Sequence, residues 1–244
     1  MMLKGKWVLA LALLVVVICA VFYAVLQYQA NIDGNGDVLF QLATFNTFSM
    51  GNYSGYMTYG ELVKHGDFGI GTFDGLDGEM IALDGVFYKI PADGKPIQVT
   101  SDMKAPYATV TFFEADISRT VGGVNYADLN TFIDGVLPSK NSIYAIKVSG
   151  TFEYAQTRSP QKQNQPYPAL TDALKDQAIF NLNNVSATAV GFWFPSSMDG
   201  VDYAGYHLHL ITDDKTAGGH LLNFMIDNAT VELDEIKQYT LVLP

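Results

Sequence analysis

Three of the chain's four histidines, His207, His209 and His220, lie close together. His207 and His209 are two apart in Tyr-His-Leu-His-Leu-Ile. A strand there carries both on one face, with Leu208 and Leu210 on the other. Residues 213–219, Asp-Asp-Lys-Thr-Ala-Gly-Gly, are rich in turn formers and should reverse the chain. His220 then opens the return strand, where it can rejoin the first two. Three convergent neutral imidazoles leave the fourth position of a tetrahedral zinc open, as in catalytic rather than structural sites. A competing reading is a set of half-buried polar side chains that binds no metal. No cysteine or further histidine joins the cluster by spacing, and His65 stands apart. Spacing leaves both readings open.

Two other residues could complete such a site. Residues 69–88 contain three Asp-Gly steps that mark tight turns, and Glu79 begins a strand directly after one of them. A carboxylate so placed can project into a cleft as a general acid or base, or face solvent on a hairpin. Asp74, Asp77 and Asp84 read as turn residues. Arg158, in Gln-Thr-Arg-Ser-Pro, follows a strand and opens a Pro/Gln-rich loop over residues 158–168. Its planar fork could clamp a carboxylate, and an ordinary surface role fits the same position. Spacing alone selects neither.

The elements that must position these side chains are mostly strands. Strand patterns fall at residues 38–45, 68–72, 79–83, 85–90, 97–99 and 108–114. A strand pair follows at 143–154, and further strands at 184–195, 207–212, 220–226, 229–233 and 238–243. Helical spacing predicts 59–65, 169–177 and 126–137, the last with Leu129, Phe132 and Ile133 on one face. The expected class is α+β: two packed halves of mainly antiparallel or mixed β-sheet with a few helices, preceded by one N-terminal transmembrane helix. The expected division is 1–37 for anchor and linker, 38–150 for an N-terminal half, and 151–244 for a C-terminal half carrying the zinc ligands.

With 244 residues, 49% of them hydrophobic, the chain can bury a substantial core. Its 25 acidic residues against 14 basic ones give a net charge of −11, with no basic stripe. Phosphate backbones would repel it, which argues against nucleic-acid binding. The single Cys19 excludes an intramolecular disulfide. Lys4 and Lys6 precede an uncharged run at residues 7–26, and the next charge is Asp33. At a rise of about 1.5 Å per residue the run covers about 30 Å, a bilayer core. A cleaved signal usually has only about 7–15 apolar residues and ends in small residues. The possible cleavage points here put Phe22 or Tyr28 where a small residue belongs. The expectation is a membrane anchor with the body on the extracytoplasmic side, or secretion if the segment is removed.

Several stretches together resemble the acetolactate decarboxylase family. They are Gly71-Thr72-Phe73-Asp74-Gly75-Leu76-Asp77-Gly78-Glu79-Met80, Asp84-Gly85-Val86-Phe87-Tyr88, a looser Val110-Thr111-Phe112-Phe113, and Gly150-Thr151-Phe152. Thr157-Arg158-Ser159-Pro160, Gln165-Pro166-Tyr167-Pro168, Gly205 to Ile211 and Gly218-Gly219-His220 complete the set. The likeness spans about residues 38–244, and the block from His207 to His220 is its most specific part. It implies zinc on His207, His209 and His220, with Glu79 and Arg158 as catalytic residues. It also implies that Thr72 and Leu76, with Arg158, contact substrate. The implied reaction converts 2-acetolactate to acetoin and carbon dioxide without an organic cofactor, in a homodimer. Relatives usually continue into an acidic tail that brings a further glutamate toward the metal. This sequence stops at Pro244, and Glu232 and Glu235 are the carboxylates that could stand in. A zinc hydrolase, a cupin-like metal-binding module and a non-catalytic membrane-tethered domain are the alternative readings.

Overall fold

Strands form in this chain where β-branched and aromatic residues alternate between Gly- and Asp-rich turns. The computed structural model describes residues 21–23 and 37–244. In chain order the first strands are β1 (Val38–Leu42), β2 (Met57–Thr58), β3 (Phe68–Thr72), β4 (Glu79–Leu83) and β5 (Val86–Ile90). They are followed by β6 (Ile97–Gln98), β7 (Lys104–Ala105), β8 (Ala108–Thr111), β9 (Ile117–Asn125) and β10 (Ile143–Ser159). The last are β11 (Ala178–Phe194), β12 (Gly205–Thr212), β13 (Gly218–Ile236) and β14 (Gln238–Val242). The α-helices of residues 37–244 are α1 (Phe45–Ser49), α2 (Tyr59–Leu62), α3 (Tyr126–Val136) and α4 (Leu170–Ala173).

Seven strands form one sheet in the order β14-β1-β8-β3-β4-β5-β6, antiparallel except for the parallel pair β14–β1. In the second sheet β10, β11, β12 and β13 pair in a closed circuit, because β10 also pairs with β13, and β9 adds to β13. The second sheet is one contiguous stretch, residues 117–236, whereas the first joins residues 38–111 to β14 at the far end of the chain. The α+β class, rich in antiparallel strands, is therefore as expected.

Side-chain alternation decides which face each strand buries. Phe68 and Ile70 of β3, and Ile81 and Leu83 of β4, pack with Val190, Phe192 and Phe194 of β11 and Ile211 of β12. That cluster is the core between the sheets. Residues two positions along share these faces, so Thr72 and Glu79 lie on the first sheet's inner face, and His207 and His209 on the second's. Leu208 and Leu210 face the other way, into a cluster with Leu129 and Ile133 of α3. Helix α3 starts on a capping box: Asn125 accepts from the N–H groups of Ala127 and Asp128, and the Asp128 carboxylate accepts from Asn125 N–H.

Three expectations change, and one strand was not expected at all. Strand β10 continues to Ser159, so Arg158 lies on a strand and not in a loop. Strand β13 is continuous across residues 227–228, because its neighbours pair on both sides of Asp227 and absorb it as an irregularity. Residues 169–177 form not one helix but α4 followed by a single 3₁₀ turn at Leu174–Asp176. Strand β9, with adjacent Gly122 and Gly123, carries too weak an apolar pattern to read from sequence. The expected membrane segment at residues 7–26 lies outside the described residues except for 21–23, which are helical. Among the described residues no helix is long and apolar enough to cross a membrane.

Candidate active site

The turn after β12 closes on its own side chains. Thr212 Oγ1 donates to Asp214 Oδ1 at 2.7 Å, and Asp214 Oδ1 accepts from Thr216 N at 3.1 Å. The reversal pairs His209 with His220 across β12 and β13. Gly219 directly before His220 has φ +135°, and a Cβ there would sit 2.5 Å from the Arg158 carbonyl oxygen. Only glycine fits this approach. On its other side His220 pairs with Arg158 of β10. One row across the sheet therefore reads Arg158, His220, His209, with His207 two residues along.

The three imidazoles form a nearly equilateral triangle with ring centroids 5.0–5.2 Å apart. One ligand nitrogen from each lies within 4.8 Å of the others, so the set could hold a metal ion. The His209 Nδ1 is 2.8 Å from the Met80 carbonyl oxygen. A carbonyl only accepts, so Nδ1 carries the proton and Nε2 offers a lone pair. Metal-binding histidines are commonly oriented this way by a second partner. His209 Nε2 and His207 Nδ1 are buried without a hydrogen-bond partner. Such orphans are costly unless a ligand satisfies them. Burial holds all three rings well below the usual histidine range, His207 at about 3, and nearby positive charge, Arg158 included, pushes the same way. The rings are therefore neutral, the form that binds metal.

The first sheet supplies the carboxylate. Glu79 opens β4 opposite Thr72 of β3, immediately after Gly78, whose φ is +97°. Its Oε2 lies 3.6 Å from His209 Nε2. Glu79 is only 8% exposed, so the hairpin position does not face solvent. Burial raises its carboxyl to about 7, opposed in part by Arg158. Near neutral pH it can therefore hold or release a proton. Thr72 Oγ1 donates to the Gly78 carbonyl at 2.7 Å, which leaves its lone pairs to accept. Leu76 is buried and takes a left-handed φ of 56°, a strained geometry for a branched side chain.

Thr72, Leu76, Glu79, Arg158 and the three histidines all line one cavity of about 390 Å³. The residues expected to bind metal, contact substrate or act in catalysis thus come together. Glu232 and Glu235 do not join them: Glu232 pairs with Lys147 at 2.9 Å, and neither lines the cavity.

Sequence reasoning missed the apolar wall, formed by Phe45 and Phe48 of α1, Leu170 and Leu174 from the β10–β11 connection, and Tyr203. Tyr203 ring-packs against both Phe45 and His207, at 5.6 and 5.7 Å between centroids. Its backbone is fixed by the buried Asp202, which accepts from Tyr203 N, Tyr107 Oη and Thr109 Oγ1 at 2.6, 2.7 and 3.0 Å. Tyr206, next to His207, donates to Asp134 Oδ1 at 2.6 Å and so ties β12 to α3.

The family model for alpha-acetolactate decarboxylase matches residues 39–244. An alpha-acetolactate decarboxylase of Methanosarcina mazei is 45% identical over 209 residues, 85% of this chain and 73% of that protein. One from Methylococcus capsulatus is 40% identical over 207 residues, 84% of this chain and 80% of that protein. The crystal structure of the Bacillus subtilis alpha-acetolactate decarboxylase superposes with a TM-score of 0.83 at 37% identity, covering 85% of this chain and 89% of that one. A Staphylococcus aureus protein of unknown function similar to alpha-acetolactate decarboxylase has the same TM-score at 33% identity, again over 85% of this chain and 89% of that one. Family match, identity and superposition agree: this chain belongs to the alpha-acetolactate decarboxylase family of carboxy-lyases.

Proposed function

We propose that the protein converts 2-acetolactate to acetoin and carbon dioxide with zinc held by His207, His209 and His220. The observation that carries this reading is the convergence of three neutral imidazoles, a buried carboxyl and a cation on one partly apolar cavity. Three nitrogen donors with an open fourth position suit zinc. When bound, the metal supplies Lewis acidity to substrate oxygens that gain charge as carbon dioxide leaves.

The chain's own residues do the rest. Arg158 receives the substrate carboxylate and orients its C–C bond for cleavage. As the bond breaks, its electron pair moves toward the neighbouring keto oxygen and leaves an enediolate. Glu79 delivers its proton to the carbon that lost the carboxylate, and solvent reprotonates Glu79. Thr72 accepts a hydrogen bond from the substrate hydroxyl, and Leu76 with the aromatic wall excludes water around the carbanionic carbon.

The test is replacement of each histidine by alanine. His207→Ala, His209→Ala and His220→Ala should each lose the metal and acetoin production together. A zinc hydrolase would instead turn over esters or peptides, and a plain binding domain would keep its properties without the histidines. The uncharged run at residues 7–26 supports a membrane tether with the body on the extracytoplasmic side. The family resemblance supports a homodimer.

A further inference from the structure

Arg158 is held in an unusual electrostatic setting for a half-buried arginine. Its Nη1 donates to Gln177 Oε1 at 3.0 Å, while its Nε is buried with no partner. Among the described residues, none of the ion pairs closer than 4.0 Å involves Arg158. A guanidinium is a rigid plane of five donors, so fixing one Nη restricts rotation of the whole fork. A neutral amide does this without neutralising the charge. A carboxylate in its place would also orient the fork, but it would compete with any anion the fork is meant to bind.

Local structure accounts for where Gln177 stands. It caps the 3₁₀ turn Leu174–Asp176, with its N–H directed to the Leu174 carbonyl at 3.4 Å, and Leu174 lines the same cavity as Arg158. Strand β11 begins at the next residue and pairs Ile179 with Arg158. One short turn thus sets both an apolar wall of the site and the acceptor for its cation.

We propose that Gln177 is a positioning residue: its amide oxygen fixes the Arg158 fork so that its remaining Nη donors meet the substrate carboxylate while the positive charge stays unpaired. This rests on the reading that Arg158 receives the carboxylate.

The test uses the metal-loaded enzyme. Gln177→Met keeps size and removes the acceptor, whereas Gln177→Glu keeps the acceptor and adds the charge. The sequence has two arginines, Arg119 and Arg158, so the Arg158 Nε–H resonance can be assigned by its loss in Arg158→Lys. In Gln177→Met that resonance should shift and exchange faster with water. KM for acetolactate should rise about ten-fold with kcat within about two-fold, as for a lost ground-state contact. Inhibition by acetoin, which lacks the carboxylate, should be unchanged. Gln177→Glu should keep the resonance yet raise KM, because it neutralises the fork. Unchanged KM in Gln177→Met overturns the proposal, as does a KM rise matched by equal weakening of acetoin. If Gln177→Met does not fold, a normal KM in Gln177→Glu overturns it. A normal KM in Arg158→Lys sinks instead the reading of Arg158 itself.

Discussion

Glu79 and Arg158 face the same cavity with opposite electrostatic histories. Burial raises the Glu79 carboxyl to about 7, and Arg158 limits that rise. A donor near neutrality suits the final protonation, for which Glu79→Gln should bind zinc normally but turn over about 10²–10⁴-fold more slowly. Equal rates and unchanged acetoin chirality at normal zinc content would remove Glu79 from the mechanism. Arg158→Lys keeps charge and loses the fork, so its kcat/KM for acetolactate should fall by about ten-fold or more; parity with the parent in steady-state assays would exclude a bidentate role. The histidine pair was legible because a strand has a period of two and its apolar partners were visible beside it. Glu79 and Arg158 were not legible from spacing, because their burial depends on a sheet built from distant chain. Only the family likeness singled them out. Gln177 and Tyr203 gave no comparable signal, since each acts through the residue it touches.

At the scale of elements, the site depends on one tight reversal. Gly219 lets β13 start against β10, where a Cβ would sit 2.5 Å from the Arg158 carbonyl oxygen. Gly219→Ala should therefore push β13 away from β10, lowering zinc affinity by ten-fold or more and costing about 1–3 kcal/mol of stability. Metal titration and thermal melting read the two effects; an unaffected metal affinity would show that β13 has slack. The turn was readable from its Asp, Thr and Gly residues. The long strands were less so. Asp227 and Asn228 look like a turn, yet β13 runs through them because ladders on both sides hold it extended. The segment 160–177 looked like a loop and a helix. Its real role is to bring Leu170 and Leu174 over the cavity, and that was fixed only by packing against α1 and the Leu76 turn.

Across the whole molecule, the β-rich class was legible, whereas the parallel β1–β14 pairing was not, since joining the two ends of the fold leaves no local pattern. The same region holds Asp234, buried with Oδ1 unpartnered and raised to about 7 by burial, with Asp116, Asp37 and Glu114 adding repulsion. Its folded value lies above the ordinary 3.8, so the folded state holds the proton more tightly. The stability this contributes is complete below about pH 4 and is lost as pH rises through about 7. Relative to Asp234→Asn, the parent's melting temperature should therefore fall between these limits; parallel profiles would contradict the assignment. If residues 7–26 form a tether, the full chain should remain with membranes after a high-salt wash, whereas a chain begun at Asn31 should be soluble and active. Recovery of the intact full chain in the soluble fraction would count against the tether. The central claim is that a three-histidine metal centre performs the decarboxylation. It is tested most directly by measuring metal content and acetoin formation on one preparation of residues 31–244, before and after chelation. The account predicts about one zinc per chain, acetoin from acetolactate, loss of both on chelation and recovery of both with added zinc. Full acetoin production by the metal-free protein would contradict it.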